Sequence, residues 1–224
     1  HSTQLSRCPR ARFAGEGFHN VAQREWRADP KWDGSSEPYT LDNDPGLIFV
    51  DAELNEIGEG QATDLQLLTE RLEPDLLVVS PMRRATTTGL LAFAPHIGRG
   101  ALPVVANELC HERAGRHTCD QRLAKSALSQ LYPAVDYSAV ADETDPFWGD
   151  GLRREPWAEL GARAGKFIEW LMERPEGHVA IASHSAFLLA VFNAARTRRT
   201  TQAAALRGAR SLTGCLCVRR LRGS

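Results

Sequence analysis

No stretch of the 224-residue chain approaches the roughly 18 consecutive apolar residues of a membrane span, and the opening residues lack the apolar block of a signal peptide. Charge of one sign is also lacking. Lysine and arginine number 27 against 28 acids, a net charge of -1, so no whole-chain field draws in nucleic acid or an acidic membrane surface. Cysteine is scarce, odd in number and uneven: Cys8, Cys110, Cys119, Cys215 and Cys217 do not make the dense, even framework of a secreted disulfide scaffold. These absences predict a soluble, cytoplasmic protein with no nucleic-acid and no membrane partner. What is present, 42% hydrophobic and 25% charged residues, is the balance of a globular chain with a packed core, and the length suits one generous domain. The charge is unevenly placed, because the last 29 residues, from Arg196, hold eight arginines and no acid, leaving the first 195 at -9. Residues 196–224 therefore read as a solvated basic tail.

Short apolar runs alternate with longer helical patterns, the layout of βαβ units around a parallel sheet. Leu76-Leu77-Val78-Val79 and His178-Val179-Ala180-Ile181-Ala182 are buried strand candidates, each ending at a serine. A helix ahead of the first is marked by Ile57, Ala62, Leu65, Leu68 and Leu72 and closed by Pro74. Ser80-Pro81 supplies an N-cap and first-turn proline for a second helix to about Phe93. A third follows from Trp157, Leu160, Ala164, Ile168 and Leu171 between Pro156 and Pro175, and a fourth runs from Ser183 to about Ala195. Two long segments, Trp26 to Gly46 and Tyr132 to Gly151, are expected as lids or substrate-contacting loops. The opening stretch through Arg12 is polar and basic, unfit for a central strand.

The first strand candidate runs into Ser80-Pro81-Met82-Arg83-Arg84, which places two arginines in the first turn of a helix. That turn carries about +0.5 of an elementary charge and favours acids, so cations there suggest that an anion sits among them. The second candidate runs into Ser183-His184-Ser185 at another helix start. Both corners lie at carboxyl ends of strands, the edge where open α/β sheets bind ligands. Arg84 offers a planar fork to phosphate oxygens and His184 titrates near neutrality, so a phosphoryl group is the natural occupant. On spacing alone, a surface arginine and a capping histidine explain the pattern equally well.

Ser80-Pro81-Met82-Arg83-Arg84-Ala85-Thr86-Thr87-Thr88 resembles the S-P-L-x-R-x-x-x-T segment of the histidine phosphatase superfamily, the phosphoglycerate mutase-like phosphatases. Leu54 to Ala62 is similar to the family's L-T-x-x-G-x-x-Q-A helix start, and Ile181 to Leu188 to its second-histidine segment, with Ser185 in place of a glycine. Glu108 to Asp120 resembles the E-x-x-G-x-H-x-C-D stretch of a eukaryotic branch. The resemblance covers Glu16 to about Ala195 and implies a single domain over 16–195, preceded by an atypical stretch 1–15. It implies a three-layer α/β/α fold around a mostly parallel sheet. Arg84, His184 and Asn20 would bind the phosphoryl group, and Glu112 would be the general acid, with Glu108 as second choice. A positioned carboxylic acid protonating an alkoxide is worth about 10²- to 10⁴-fold in rate. Cys110, His117 and Cys119 match no four-ligand zinc spacing, so no metal and no cofactor is expected. The partner is a small phosphorylated substrate or phosphate itself.

The family's attacking histidine belongs to an R-H-x-x-G-x-H-N segment at the end of a first strand. Glu16-Gly17-Phe18-His19-Asn20 matches its second half, but a gap-free count puts Phe13 and Ala14 where arginine and nucleophile belong, and a one-residue slip aligns Arg12 with the arginine but leaves Phe13 as the nucleophile. Neither Ala14 nor Phe13 can attack phosphorus. His19 is expected to be a hydrogen-bonded loop residue. With the first central strand also missing or replaced, the pattern predicts a misjoined exon or truncation upstream of Glu16. Three readings stay open: a metal-independent phosphomonoesterase acting through phosphohistidine, a non-catalytic phospho-ligand-binding protein, and a mutase-type phosphotransferase. A missing central strand would also leave neighbouring backbone groups unpaired, which predicts a chain of poor stability.

Overall fold

A computed structural model describes residues 15–100, 102–197, 210–212 and 215–219. In chain order the elements are α1 (Phe18–Ala28), α2 (Glu56–Asp64), α3 (Gln66–Thr69), β1 (Leu76–Val79), α4 (Arg83–Ala92), α5 (Ala94–Gly98) and β2 (Val104–Ala106). After two short 3₁₀ turns, Glu108–Cys110 and Thr118–Asp120, come α6 (Lys125–Leu131), α7 (Trp157–Glu173), β3 (His178–Ala182), α8 (Ser185–Thr197), β4 (Arg210–Leu212) and β5 (Cys215–Arg219). The sheet order is β2-β1-β3-β5-β4. β1 pairs parallel with both β2 and β3, with Leu77 opposite Val104 and Ala180.

The period-two alternation of β1 and β3 sorts their side chains onto two faces. Leu76, Val78, Val179 and Ile181 pack with Leu160, Phe167, Ile168, Phe187, Leu188 and Val191 from α7 and α8. Leu77, Val79, Ala180 and Ala182 pack the opposite face with Ala92 of α4, Phe93, Leu128 of α6 and Val140. That is the expected three-layer α/β/α arrangement. α4 comes close because position 89 is glycine: a Cβ there would sit 2.9 Å from Val79 Cγ1 and 3.1 Å from the Ala182 methyl.

The expectation of unpaired backbone beside a missing strand is corrected. The edge of β3 turned away from β1 is covered by β5, antiparallel, with His178 opposite Arg219 and Ala182 opposite Cys215, and β4 continues the sheet. Residues 210–212 and 215–219 therefore belong to the sheet rather than to a free basic tail, because an edge ladder is satisfied by any chain that brings N–H and C=O groups to it. The stretch 1–14 lies outside the described residues.

Local details differ from the sequence expectation as well. The first helical pattern splits at Leu65 into α2 and α3, and Ile57 and Leu68 are exposed while Ala62 and Leu65 are buried. α4 starts at Arg83, and Ser80 does not cap it; the free Arg83 N–H donates to Asp51 Oδ1 at 2.9 Å. The Arg83 guanidinium itself pairs with Glu53, while Asp51, 32 residues upstream and buried, also accepts from the Leu123 N–H at 3.0 Å.

Candidate active site

The carboxyl ends of β1 and β3 lie side by side, joined past the strands by the Ser80 N–H donating to the Ala182 carbonyl at 2.9 Å. From these ends Arg84 enters on the first turn of α4 and His184 stands just ahead of α8. Both border one cavity of about 290 Å³, with Gly15, Asn20, Gln23, Tyr39, Glu112 and Asp120 among its other lining residues. Of the sequence-stated candidates, Arg84, His184, Asn20 and Glu112 come together here.

Arg84 is 4% exposed, and its Nη2 donates to Asp120 Oδ1 at 2.8 Å. The other oxygen of Asp120 accepts from Arg154, so one carboxylate orients two guanidinium groups. Burial opposes ionisation of Asp120, but Arg154 and Arg84 hold its pKa below the usual carboxylate range. Glu112 goes the other way: burial and then the neighbouring Asp120 charge raise its pKa, and one oxygen accepts from the Arg113 N–H at 2.8 Å. Two carboxyl groups in one cavity have their pKa values pushed in opposite directions by their surroundings, Asp120 down by the cations it anchors and Glu112 up by burial.

His184 is 2% exposed and hydrogen-bonded through Nε2 to Ser80 Oγ at 2.9 Å. Burial, and then Arg84, lower its pKa well below the usual value. Asn20, on α1, spends its Oδ1 on the Gly17 N–H at 2.9 Å, which leaves its amide N–H groups for an anion.

Glu108 is not part of the cavity. It is gripped by buried Arg122, whose Nε lies 3.0 and 3.1 Å from the two carboxylate oxygens and whose Nη2 lies 2.7 Å from one of them. Cys110 and Cys119 are also separated in role, Cys110 in the core against α7 and α8, Cys119 at the cavity wall. Burial raises the pKa of both thiols.

Sequence reasoning missed Arg154 and the anchoring role of Asp120. Asp120 stood inside a quoted motif, but Arg154 comes from a loop 34 residues further on with no local signal. It arrives through a backbone contact that requires glycine: Gly115 has φ of +79°, and a Cβ there would run into the Arg153 carbonyl oxygen. Arg154 and His117 also border a second, outer chamber of about 770 Å³, walled by Ser35, Asp42, Arg113 and Arg116 among others. The first expected substrate loop supplies one wall, whereas the second reaches it only through Gly151. The rest of that second loop is fastened down: Arg122 donates to the carbonyls of Asp142, Glu143 and Thr144, and Asp145 accepts from His111, Arg122, Phe147 and Trp148.

Arg84 and a buried histidine at adjacent strand ends, with the Glu112 carboxyl lining the same cavity, make a polar site at the carboxyl edge of an α/β sheet. Residues 49–219 match the family model described as histidine phosphatase superfamily (branch 1), and the chain belongs to that family. It is 34% identical over 176 residues to phosphoglycerate mutase-like protein 1 of Arabidopsis thaliana, covering 65% of this chain and 61% of that protein. A second Arabidopsis phosphoglycerate mutase-like protein is 32% identical over 204 residues, covering 77% and 69%. The chain thus spans about six tenths of the length of the first. Among solved structures, a putative alpha-ribazole-5'-P phosphatase from Escherichia coli is similar at 21% identity, covering 95% of this chain and 94% of that one, with a TM-score of 0.49. Among the described residues, no helix is long and apolar enough to cross a membrane.

Proposed function

We propose that this cavity takes the phosphoryl group of a small phosphomonoester and serves metal-independent hydrolysis through a phosphohistidine. The observation that carries the reading is the place of Glu112, a carboxyl in the same cavity as Arg84, Asn20 and His184 whose pKa burial raises above the usual range. Binding alone has no use for a proton donor beside the phosphoryl site.

In this reading Arg84, Asn20 and neutral His184 hold the phosphoryl oxygens. An attacking imidazole forms the N–P bond as the ester P–O bond breaks, and Glu112 gives its proton to the leaving oxygen. The Glu112 carboxylate then takes a proton from water as that water attacks phosphorus, the N–P bond breaks and phosphate leaves. The attacking imidazole belongs just ahead of Gly15, which borders the cavity, and this chain has Ala14 there. Ala14 specifically favours a second reading for the chain as it stands: it binds phosphorylated ligands without turning them over. The buried, reduced thiols of Cys110 and Cys119 support a cytoplasmic setting.

The test pairs the chain with its Ala14→His and Arg84→Ala variants. The chain should bind orthovanadate saturably and leave p-nitrophenyl phosphate intact, Arg84→Ala should lose the binding, and Ala14→His should gain an acid-labile phosphoenzyme and release phosphate. Absence of vanadate binding by the chain removes the phosphoryl-site reading. A metal requirement in the Ala14→His variant removes the mechanism.

A further inference from the structure

Three histidines border the inner cavity, His184 bonded to Ser80, His117 at 3.7 Å from Asp120, and His19. His19 lies on the first turn of α1 and not in a loop, and it is 8% exposed. Its Nδ1 is buried with no hydrogen-bond partner, contrary to the hydrogen-bonded role expected from the sequence. The reason is local. The ring lies over residue 17, where a Cβ would come within 2.7 Å of Nδ1 and 2.8 Å of Cε1, so only glycine allows this placement. Tyr39 meets the ring edge-on with centroids 6.1 Å apart.

A neutral imidazole carries one proton. Nδ1 is sealed without a partner in either tautomer, but a proton on Nε2 can meet an anion in the cavity, whereas a bare Nε2 lone pair would face that anion. The proton therefore belongs on Nε2, which, unlike Nδ1, is not sealed from the cavity. We propose that His19 grips a phosphoryl oxygen with a neutral Nε2–H, as a further donor beside Arg84 and Asn20, an inference that rests on the phosphoryl-site reading.

The surroundings favour a donor without charge. Arg84 and Arg154 already bring two positive charges to the cavity, offset inside it by Asp120, and His117 stands on the same wall. Burial, and then Arg84, lower the His19 pKa to about 3, so the ring stays neutral across the physiological range. The same tautomer withholds the Nε2 lone pair from phosphorus, so His19 does not replace the nucleophile absent at position 14.

Orthovanadate and inorganic phosphate are titrated calorimetrically into the chain and into its Arg84→Ala, His19→Phe and His19→Gln variants. His19→Phe should weaken both anions about tenfold or more, the scale of one donor to a charged acceptor. His19→Gln, whose amide nitrogen reaches the place of Nε2, should stay within about threefold of the parent. Nitrogen-15 spectra of the unmodified chain, which need no variant to fold, should show His19 protonated on Nε2 and bare on Nδ1 from about pH 5 to about pH 8. Undiminished binding in His19→Phe, or a proton on Nδ1, overturns the proposal while leaving the phosphoryl site standing. Failure of the unmodified chain to bind either anion overturns both.

Discussion

Arg122 holds Glu108 through both carboxylate oxygens, with the guanidinium fully buried and the closest contact at 2.7 Å. The remaining donors of that guanidinium reach the carbonyls of Leu123, Asp142, Glu143 and Thr144. Glu108 is therefore the counter-ion of a loop anchor, four residues from the carboxyl that faces the cavity. Glu108→Gln leaves a buried cation without its partner and should cost about 3 to 5 kcal/mol of stability. Chemical denaturation measures the loss, and vanadate affinity of the folded protein should be unchanged.

Glu112→Gln should do the reverse. Burial raises the folded pKa of Glu112 above its ordinary 4.5, so the folded chain holds this proton more tightly than the unfolded chain. Such a group favours folding below the unfolded pKa, and that contribution is lost as pH rises through the folded value. The amide copies the protonated carboxyl and never ionises. Glu112→Gln should therefore match the parent near pH 4 and exceed it in stability above the folded pKa, read from urea midpoints across pH. In the Ala14→His background the same change should lower phosphate release by about 10²-fold or more while vanadate binding persists.

The His111 ring lies between two oxygens, with Nδ1 2.9 Å from the Glu112 carbonyl and Nε2 3.0 Å from Asp145 Oδ2. A carbonyl and a carboxylate both accept, so the protonated ring is the form that satisfies both. Burial works against the charge, but Asp145 raises the His111 pKa above its usual 6.5, and the same pairing holds Asp145 down at about 2. The His111 contribution is fully present below pH 6.5 and is lost as pH rises through the raised folded value. The Asp145 contribution is present above pH 3.8 and is lost as pH falls towards about 2. Asp145→Asn should cost about 3 to 5 kcal/mol near neutrality and flatten the alkaline loss of stability, both visible in denaturation curves against pH.

The layers were legible in the sequence because β1 and β3 are short apolar runs buried on both faces, and because α7 begins after Pro156 and stops ahead of Pro175. Arg84 and His184 were legible because each follows its strand within a few residues. Arg154 was not, since only the Gly115 contact brings its loop to Asp120. Ser80 misled, as a serine ahead of a proline reads as a cap, whereas its hydroxyl faces His184 and the helix start is served by Asp51. Nor did the pattern from Arg210 on announce β4 and β5, because strands added at a sheet edge are chosen by backbone pairing more than by side-chain periodicity.

Arg154 stands in the wall shared by the inner and outer chambers, fixed by Asp120 on one side and by the Gly115 carbonyl at 3.0 Å on another. A group that settles in the outer chamber and draws on this guanidinium alters the field felt by an anion in the inner one. Linkage makes that influence mutual: the factor by which an outer occupant changes the grip on the inner anion is the factor by which the anion changes the grip on the occupant.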